Sequence, residues 1–249
     1  MNLTPKVSFI IPVLYLQRPL NKKRFFMPRS TLKDLLNDIH QNVTIDFEII
    51  VICNSTDVAL VSFVRNHPLI TKYILNSHNP GVPRSWNMGA EMSEGEYLCY
   101  ASDDVRVGKK SIELLCEALD ADPEVAEVGP KGDLYKNGRP DRFVGTEFPE
   151  DSDVISGFLF LVRSSVYFQV GGFDNAYSPA GCEEVDFSFA IRKAGWRCRV
   201  IPHLDILHNE YHGVSAHRTQ IQYLGSTIDT LDLHERNTRY FLDKWGFTD

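Results

Sequence analysis

The 249-residue chain predicts an α/β fold with a mostly parallel central sheet flanked by helices. Two runs, Val7-Ser8-Phe9-Ile10-Ile11-Pro12-Val13 and Phe47-Glu48-Ile49-Ile50-Val51-Ile52, have the near-continuous apolar character of strands covered on both faces. Between them, residues 31–40 carry Leu32, Leu35, Leu36 and Ile39 at helical spacing, with Ser30 placed to cap the start. Strand, helix, strand in that order makes a right-handed crossover, and such sheets bind ligands at the carboxyl ends of their strands.

The alternation continues along the chain. Residues 57–66 read as a helix, 72–75 as a short strand, 84–92 as a helix, 97–101 as a strand and 109–119 as a helix. Residues 131–153 are rich in Gly, Pro and charge and read as an irregular insertion or an edge hairpin, a kind of segment that often carries specificity. A strand over 154–162 containing Ser156-Gly157 follows, then a helix over 184–194 and a strand over 197–201 leading to His208. The tail over 229–245 has helical spacing, with Leu231, Tyr240, Phe241 and Trp245 as packing residues. No linker divides the chain, so one domain spanning 1–249 is expected.

The composition, 43% hydrophobic and 24% charged, is that of a globular protein rather than a disordered one. A net charge of −7 argues against a broad nucleic-acid surface. The five cysteines, Cys53, Cys99, Cys116, Cys182 and Cys198, show no C-x-x-C spacing, which predicts free thiols in a reducing compartment and no zinc framework. No run approaches the roughly 20 apolar residues of a membrane span, and the start lacks the pattern of a secretory signal. A cytoplasmic protein is therefore expected. Lys22-Lys23-Arg24 followed by Phe25-Phe26-Met27 is a candidate for peripheral contact at the inner face of a membrane, the alternative being a solvated loop.

The strongest chemical signal is Tyr97-Leu98-Cys99-Tyr100-Ala101-Ser102-Asp103-Asp104, where an apolar strand stops on two adjacent carboxylates. Buried carboxylates need a cation, so the pair reads as a site; the alternative is a loop whose aspartates cap the next helix. Asn54-Ser55-Thr56-Asp57 follows a buried strand and opens a helix, where it could hold a base or ribose or simply cap the helix. Asn79-Pro80-Gly81-Val82-Pro83-Arg84-Ser85-Trp86-Asn87-Met88-Gly89 is a turn into a helix with Arg84 available to a phosphate, although it lacks the phosphate-loop pattern. The acidic trio Glu183, Glu184 and Asp186 opens another helix and offers either capping or a general base. His208 lies 24 residues after Glu184 and is either a ligand or an ordinary packed histidine. His208 and His212 lack the glutamate of a zinc-protease helix, and His203, His217 and His234 read as structural or surface residues.

In this order, the segments 7–13, 48–57, 79–89, 95–104, 156–157, 171–174, 183–186 and 194–208 resemble the GT-A glycosyltransferases of family 2, nearest their rhamnosyltransferase-like branch. The closing run from Arg236 to Gly246 resembles the tail often seen there, so the resemblance spans nearly the whole chain. It implies a Rossmann-like donor half over 1–107 and an acceptor half with a helical tail over 108–249. Ser102-Asp103-Asp104 stands where the family has its DXD motif, implying Asp104 and His208 as ligands of Mn²⁺ or Mg²⁺. Pro12, Asn54, Asp57, Asn79, Gly81, Arg84, Asn87 and Asp103 are the implied contacts of a nucleoside diphosphate sugar. Ser102 replaces the first acid of the motif, Cys53 replaces the aspartate that commonly reads the base, and the turn at Asn54-Ser55 is one residue short.

The resemblance implies inverting, metal-dependent transfer of a sugar to the hydroxyl of a glycan, a lipid-linked molecule or another acceptor. Glu184 aligns with the base, with Glu183 and Asp186 as competitors. The alternative is a non-catalytic protein that binds a nucleotide sugar or glycan on the same scaffold, a reading that Ser102 favours. A nucleotidyltransferase would need a glycine-rich basic loop after the first strand, which Pro12-Val13-Leu14-Tyr15-Leu16-Gln17 does not supply.

Overall fold

The computed structural model describes residues 4–20, 22, 25–210 and 219–247. Lys23, Arg24, His212 and His217 therefore lie outside the described residues. In chain order the first half comprises β1 (Val7–Val13), α1 (Leu32–Asn42), β2 (Phe47–Cys53), α2 (Val58–Asn66), β3 (Lys72–Leu75), α3 (Val82–Met92), β4 (Tyr97–Ala101) and β5 (Val105–Val107). The second half comprises α4 (Ser111–Ala121), β6 (Val125–Gly129), β7 (Gly132–Lys136), β8 (Arg139–Phe143), β9 (Glu150–Ser152), β10 (Val154–Ile155) and β11 (Leu159–Arg163). It continues with α5 (Ser164–Val170), α6 (Glu183–Lys193), β12 (Arg197–Val200), β13 (Ile206–His208), β14 (Gln220–Tyr223), β15 (Ser226–Asp229) and α7 (Thr230–Trp245).

The central sheet has the order β3-β2-β1-β4-β11-β6-β12-β9. Its β3, β2, β1 and β4 are mutually parallel, and β11 runs antiparallel between β4 and β6. Alternation along β1 sends Phe9, Ile11 and Val13 to a core shared with Leu32, Leu35 and Leu36 of α1, and Ile10 to a second core with Trp86 of α3 and Phe187 of α6. Burial on both faces is why these strands read as unbroken apolar runs.

Several boundaries differ from expectation. Helix α1 is capped by Thr31, whose N–H donates to Asp34 Oδ2 at 2.9 Å, and not by Ser30. Ser30 is instead buried and accepts from Asn209 Nδ2. The expected strand over 154–162 is two strands in different sheets, β10 and β11, because Ser156-Gly157 turns the chain between them. Residues 131–153 form a β7–β8 hairpin and an edge strand, β9. Strand β6 escaped notice because Glu127, fully buried, interrupts its short apolar run. Short α5 escaped as well and ends at Gly171, where φ of 87° suits glycine.

The five cysteines are free thiols, as expected. Among the described residues no helix is long and apolar enough to cross a membrane.

Candidate functional site

A cleft of about 600 Å³ opens at the carboxyl ends of β1, β2 and β4 and extends to the first turn of α6. Of the residues singled out in the sequence, Pro12, Asn54, Asn79, Asp103, Asp104, Glu183, Glu184 and His208 line it. The topology brings them together: His208 closes β13, which pairs antiparallel with β5, setting His208 opposite Val105 and beside Asp104. Asn209 N–H then donates to the Asp104 carbonyl at 3.1 Å. His208 belongs to this small ribbon and not to a continuation of β12.

Asp103 and Asp104 are 5% and 2% exposed, yet both face the cleft. Their counter-charge is Arg18, whose guanidinium contacts Asp103 Oδ1 and places Nη1 2.9 Å from Asp104 Oδ2. Burial opposes the charge on Arg18, but the two carboxylates outweigh it and raise its pKa. Burial raises the pKa of Asp103, with Arg18 opposing. The other oxygen, Asp104 Oδ1, is buried without a hydrogen-bond donor and lies 3.4 Å from His208 Nε2. The His208 ring stacks on Phe158 at 4.7 Å, with 9° between the planes, which fixes its direction.

An orphaned carboxylate oxygen facing an imidazole nitrogen fits a divalent ion, so Asp104 and His208 are the residues that would hold one. Among the described residues no three His, Cys, Asp or Glu side chains gather as a complete metal site. Further ligands would have to be water or phosphate oxygens, a common arrangement for Mg²⁺.

Glu183 and Glu184, which also line the cleft, open α6. Burial and then the neighbouring charge of Glu184 push the Glu183 pKa well up, and Glu183 Oε2 is buried without a partner. Burial also raises the Glu184 pKa, while backbone amides of the helix start and nearby His234 oppose the rise. Burial thus disfavours the charged form of both carboxyls, and backbone amides offset it at each, with His234 adding to the offset at Glu184.

The other singled-out residues Asp57, Gly81, Arg84, Asn87 and Asp186 lie outside the cleft lining. Asp57 caps α2, accepting from Leu60 N–H at 2.8 Å. Asn87 accepts from Tyr167 Oη at 2.6 Å and Phe173 N–H at 2.9 Å, which pins the 172–175 turn. Asp186 turns away from the cleft and accepts from Lys244 Nζ and Trp245 Nε1, each at 2.8 Å, so it anchors α7. Arg84 lies on α3 outside the cleft lining. Gly81, at φ 87°, lets the α3 start press on Pro179: a Cβ there would meet Pro179 Cα at 2.6 Å. Cys53 is fully buried and does not line the cleft.

Sequence reasoning missed Arg18, Lys131, Phe158 and Glu210, and placed His234 among structural or surface residues, although all five line the cleft. Arg18 carried no local signal beyond lying five residues after the end of β1.

The glycosyl transferase family 2 model matches residues 25–160. An N-acetylglucosaminyl-diphospho-decaprenol L-rhamnosyltransferase of Mycobacterium tuberculosis is 28% identical over 178 residues, covering 59% of this chain and 55% of the relative, with the same match in strains CDC 1551 and H37Rv. The chain thus matches about half the length of these curated relatives. Among solved structures, GalNAc-T7 with UDP, GalNAc and Mn²⁺ superposes with a TM-score of 0.64 at 15% identity, over 84% of this chain and 44% of that one. The mannosyltransferase PcManGT from Pyrobaculum calidifontis, in complex with GDP-Man and Mn²⁺, gives 0.55 at 17% identity, over 82% and 56%. With the family model spanning more than half of its length and the GT-A architecture in place, the chain belongs to glycosyl transferase family 2.

Proposed function

We propose that this chain transfers a sugar from a nucleoside diphosphate sugar to an acceptor hydroxyl with inversion at the anomeric carbon. The observation that carries the reading is that Glu184 and the Asp103–Asp104 pair line one cleft. Transfer needs a base at the acceptor, the part of Glu184, and positive charge at the departing diphosphate, which a cation held by the aspartates would supply. Glu184 takes the acceptor proton as the oxygen attacks, and burial, which raises its pKa, makes it the stronger base. A divalent ion on Asp104 and His208 would neutralise charge on the leaving diphosphate. In this reading Asn54 and Asn79, which line the cleft, would contact the nucleoside, with residues 1–107 as the donor half and 108–249 as the acceptor half.

The relatives' name supports deoxyhexosyl transfer to a lipid-linked diphosphate sugar. Phe25 and Phe26, 68% and 72% exposed and edge to face with each other, are where this chain would touch the lipid surface.

The test is thermal unfolding of wild type and Asp104→Ala with a panel of nucleoside diphosphates and their sugars, with and without Mn²⁺. A ligand at 100 times its Kd should stabilise by about 2.7 kcal/mol. A Mn²⁺-dependent shift with one nucleotide, lost in Asp104→Ala, together with sugar release or transfer, is the expected result. Binding without turnover favours the non-catalytic scaffold, and no shift with any nucleotide overturns the proposal.

A further inference from the structure

Arg18 reaches the strand-end acids from the loop after β1 and engages both at once, with Nη1 on Asp104 Oδ2 and Nη2 on Asp103 Oδ1. Its side chain is only 15% exposed, and the acids' side chains are 7% and 2% exposed. Two adjacent carboxylates so deeply buried need a counter-charge, and the planar guanidinium fork is well shaped to supply it. Tethers hold the return of this loop close to the same acids. Arg29 Nη1 donates to the Arg18 carbonyl at 3.4 Å, and Ser30 is bound by Asn209, whose own N–H is on the Asp104 carbonyl.

We propose that Arg18 is the resident cation of this carboxylate pair, and that a divalent ion gains Asp103 and Asp104 only as the guanidinium withdraws. The inference rests on the reading that Asp104 holds such an ion. Asp104 presents two oxygens with different fates: Oδ2 is taken by Arg18, while Oδ1 faces His208 without a hydrogen bond. An ion arriving beside Oδ1 meets the positive charge of Arg18 on the same carboxylate, and like charges at that range repel. The free protein therefore binds metal weakly.

The donor reverses this balance. Arg18 lines the cleft, so a diphosphate entering it gives the displaced guanidinium a new anionic partner. Metal and nucleotide then bind cooperatively, because each favours the arrangement in which Arg18 has left the acids. Arg18 acts through the acids in the free protein and on the diphosphate in the complex.

The test is direct Mn²⁺ binding, read from the electron paramagnetic resonance signal of the free ion, on the full chain without nucleotide. Wild type, Arg18→Gln, Arg18→Lys and Arg18→Gln with Asp104→Asn are compared. Arg18→Gln is expected to bind Mn²⁺ about tenfold or more tightly than wild type, as follows from removing a close charge that competes for the site. Arg18→Lys, which keeps a charge but loses the fork, falls between them, and Asp104→Asn abolishes binding in the double variant. Without metal, Arg18→Gln melts below wild type, and saturating Mn²⁺ raises its Tm by more than it raises that of wild type.

Equal or weaker Mn²⁺ binding by folded Arg18→Gln, with Asp104→Asn still abolishing it, overturns the role of Arg18 and leaves the metal site standing. If Arg18→Gln does not fold, Arg18→Lys decides, and an affinity equal to wild type overturns the proposal. Absence of Mn²⁺ binding in every variant overturns both this inference and the reading beneath it.

Discussion

A Cβ placed on Gly157 would lie 3.1 Å from Cγ and 3.2 Å from Cδ of Glu184, so glycine at the β10–β11 turn allows that carboxylate its position in the cleft. Nothing but the side chain of Glu184 is nearest to that point, and the backbone there is not in the left-handed region. Gly157→Ala should therefore fold normally and displace Glu184 by a few tenths of an ångström. Turnover is expected to fall about tenfold, with donor affinity unchanged, since small misplacements of reacting groups are costly. Steady-state kinetics beside a donor-binding titration checks the separation.

Glu184→Gln removes the base while keeping size and hydrogen bonding. It should lose about 10²–10⁴-fold in turnover and still bind donor. Because burial raises the Glu184 pKa, wild-type kcat/KM should decline on the acid side as pH falls through that raised value. The variant should lack that limb. Full turnover by Glu184→Gln would remove Glu184 from the reaction.

Glu127 lies fully buried in β6 beneath the site, with Oε2 accepting from Ser188 Oγ at 2.7 Å. Burial lifts its pKa from the ordinary 4.5 to about 7, against opposing hydrogen bonds from Cys198 and Ser188. Between those values the folded protein holds a proton that the unfolded chain releases, so this group's contribution to stability falls as pH rises from 4.5 to 7. The interval corresponds to about 3 kcal/mol. Glu127→Gln should gain on wild type in urea midpoint between pH 5 and pH 8; a constant difference across that range would show that Glu127 does not titrate there.

Asn237 Nδ2 lies within 2.8–3.0 Å of the carbonyls of Tyr177, Ala180 and Gly181, and Arg236 Nη2 donates to the Ser178 carbonyl at 2.6 Å. Helix α7 thereby fastens the loop that leads into Glu183 and Glu184. Asn237→Ala leaves buried carbonyls without a donor and should cost about 1–3 kcal/mol. Activity should fall at temperatures where the variant is still folded by circular dichroism, and activity equal to wild type would make the tail a matter of stability alone.

Much of the fold was legible because its signals are local. Strands β1, β2 and β4 are buried on both faces and so are apolar throughout, and α1 shows its core face as Leu32, Leu35, Leu36 and Ile39. The carboxylates at Asp103-Asp104 stood out because charge ending an apolar strand is rare without a partner. Strand β6 was hidden because it is short and buried Glu127 breaks its apolar run, whereas β10 and β11 read as one strand because the run over 154–162 does not show the change of sheet at Ser156-Gly157.

By itself the sequence determined the α/β alternation, the strand-end acids and the acidic start of α6, since each depends on residues close along the chain. Only the tertiary structure decided which of those groups meet. It set His208 beside Asp104 through the pairing of β13 with β5, turned Asp186 toward Lys244 rather than the cleft, and delivered Arg18 to Asp103 and Asp104 from 85 residues away in sequence. Contacts of that kind arise from chain topology and from the need of buried charge for a partner, and neither leaves a periodic trace in the residues themselves.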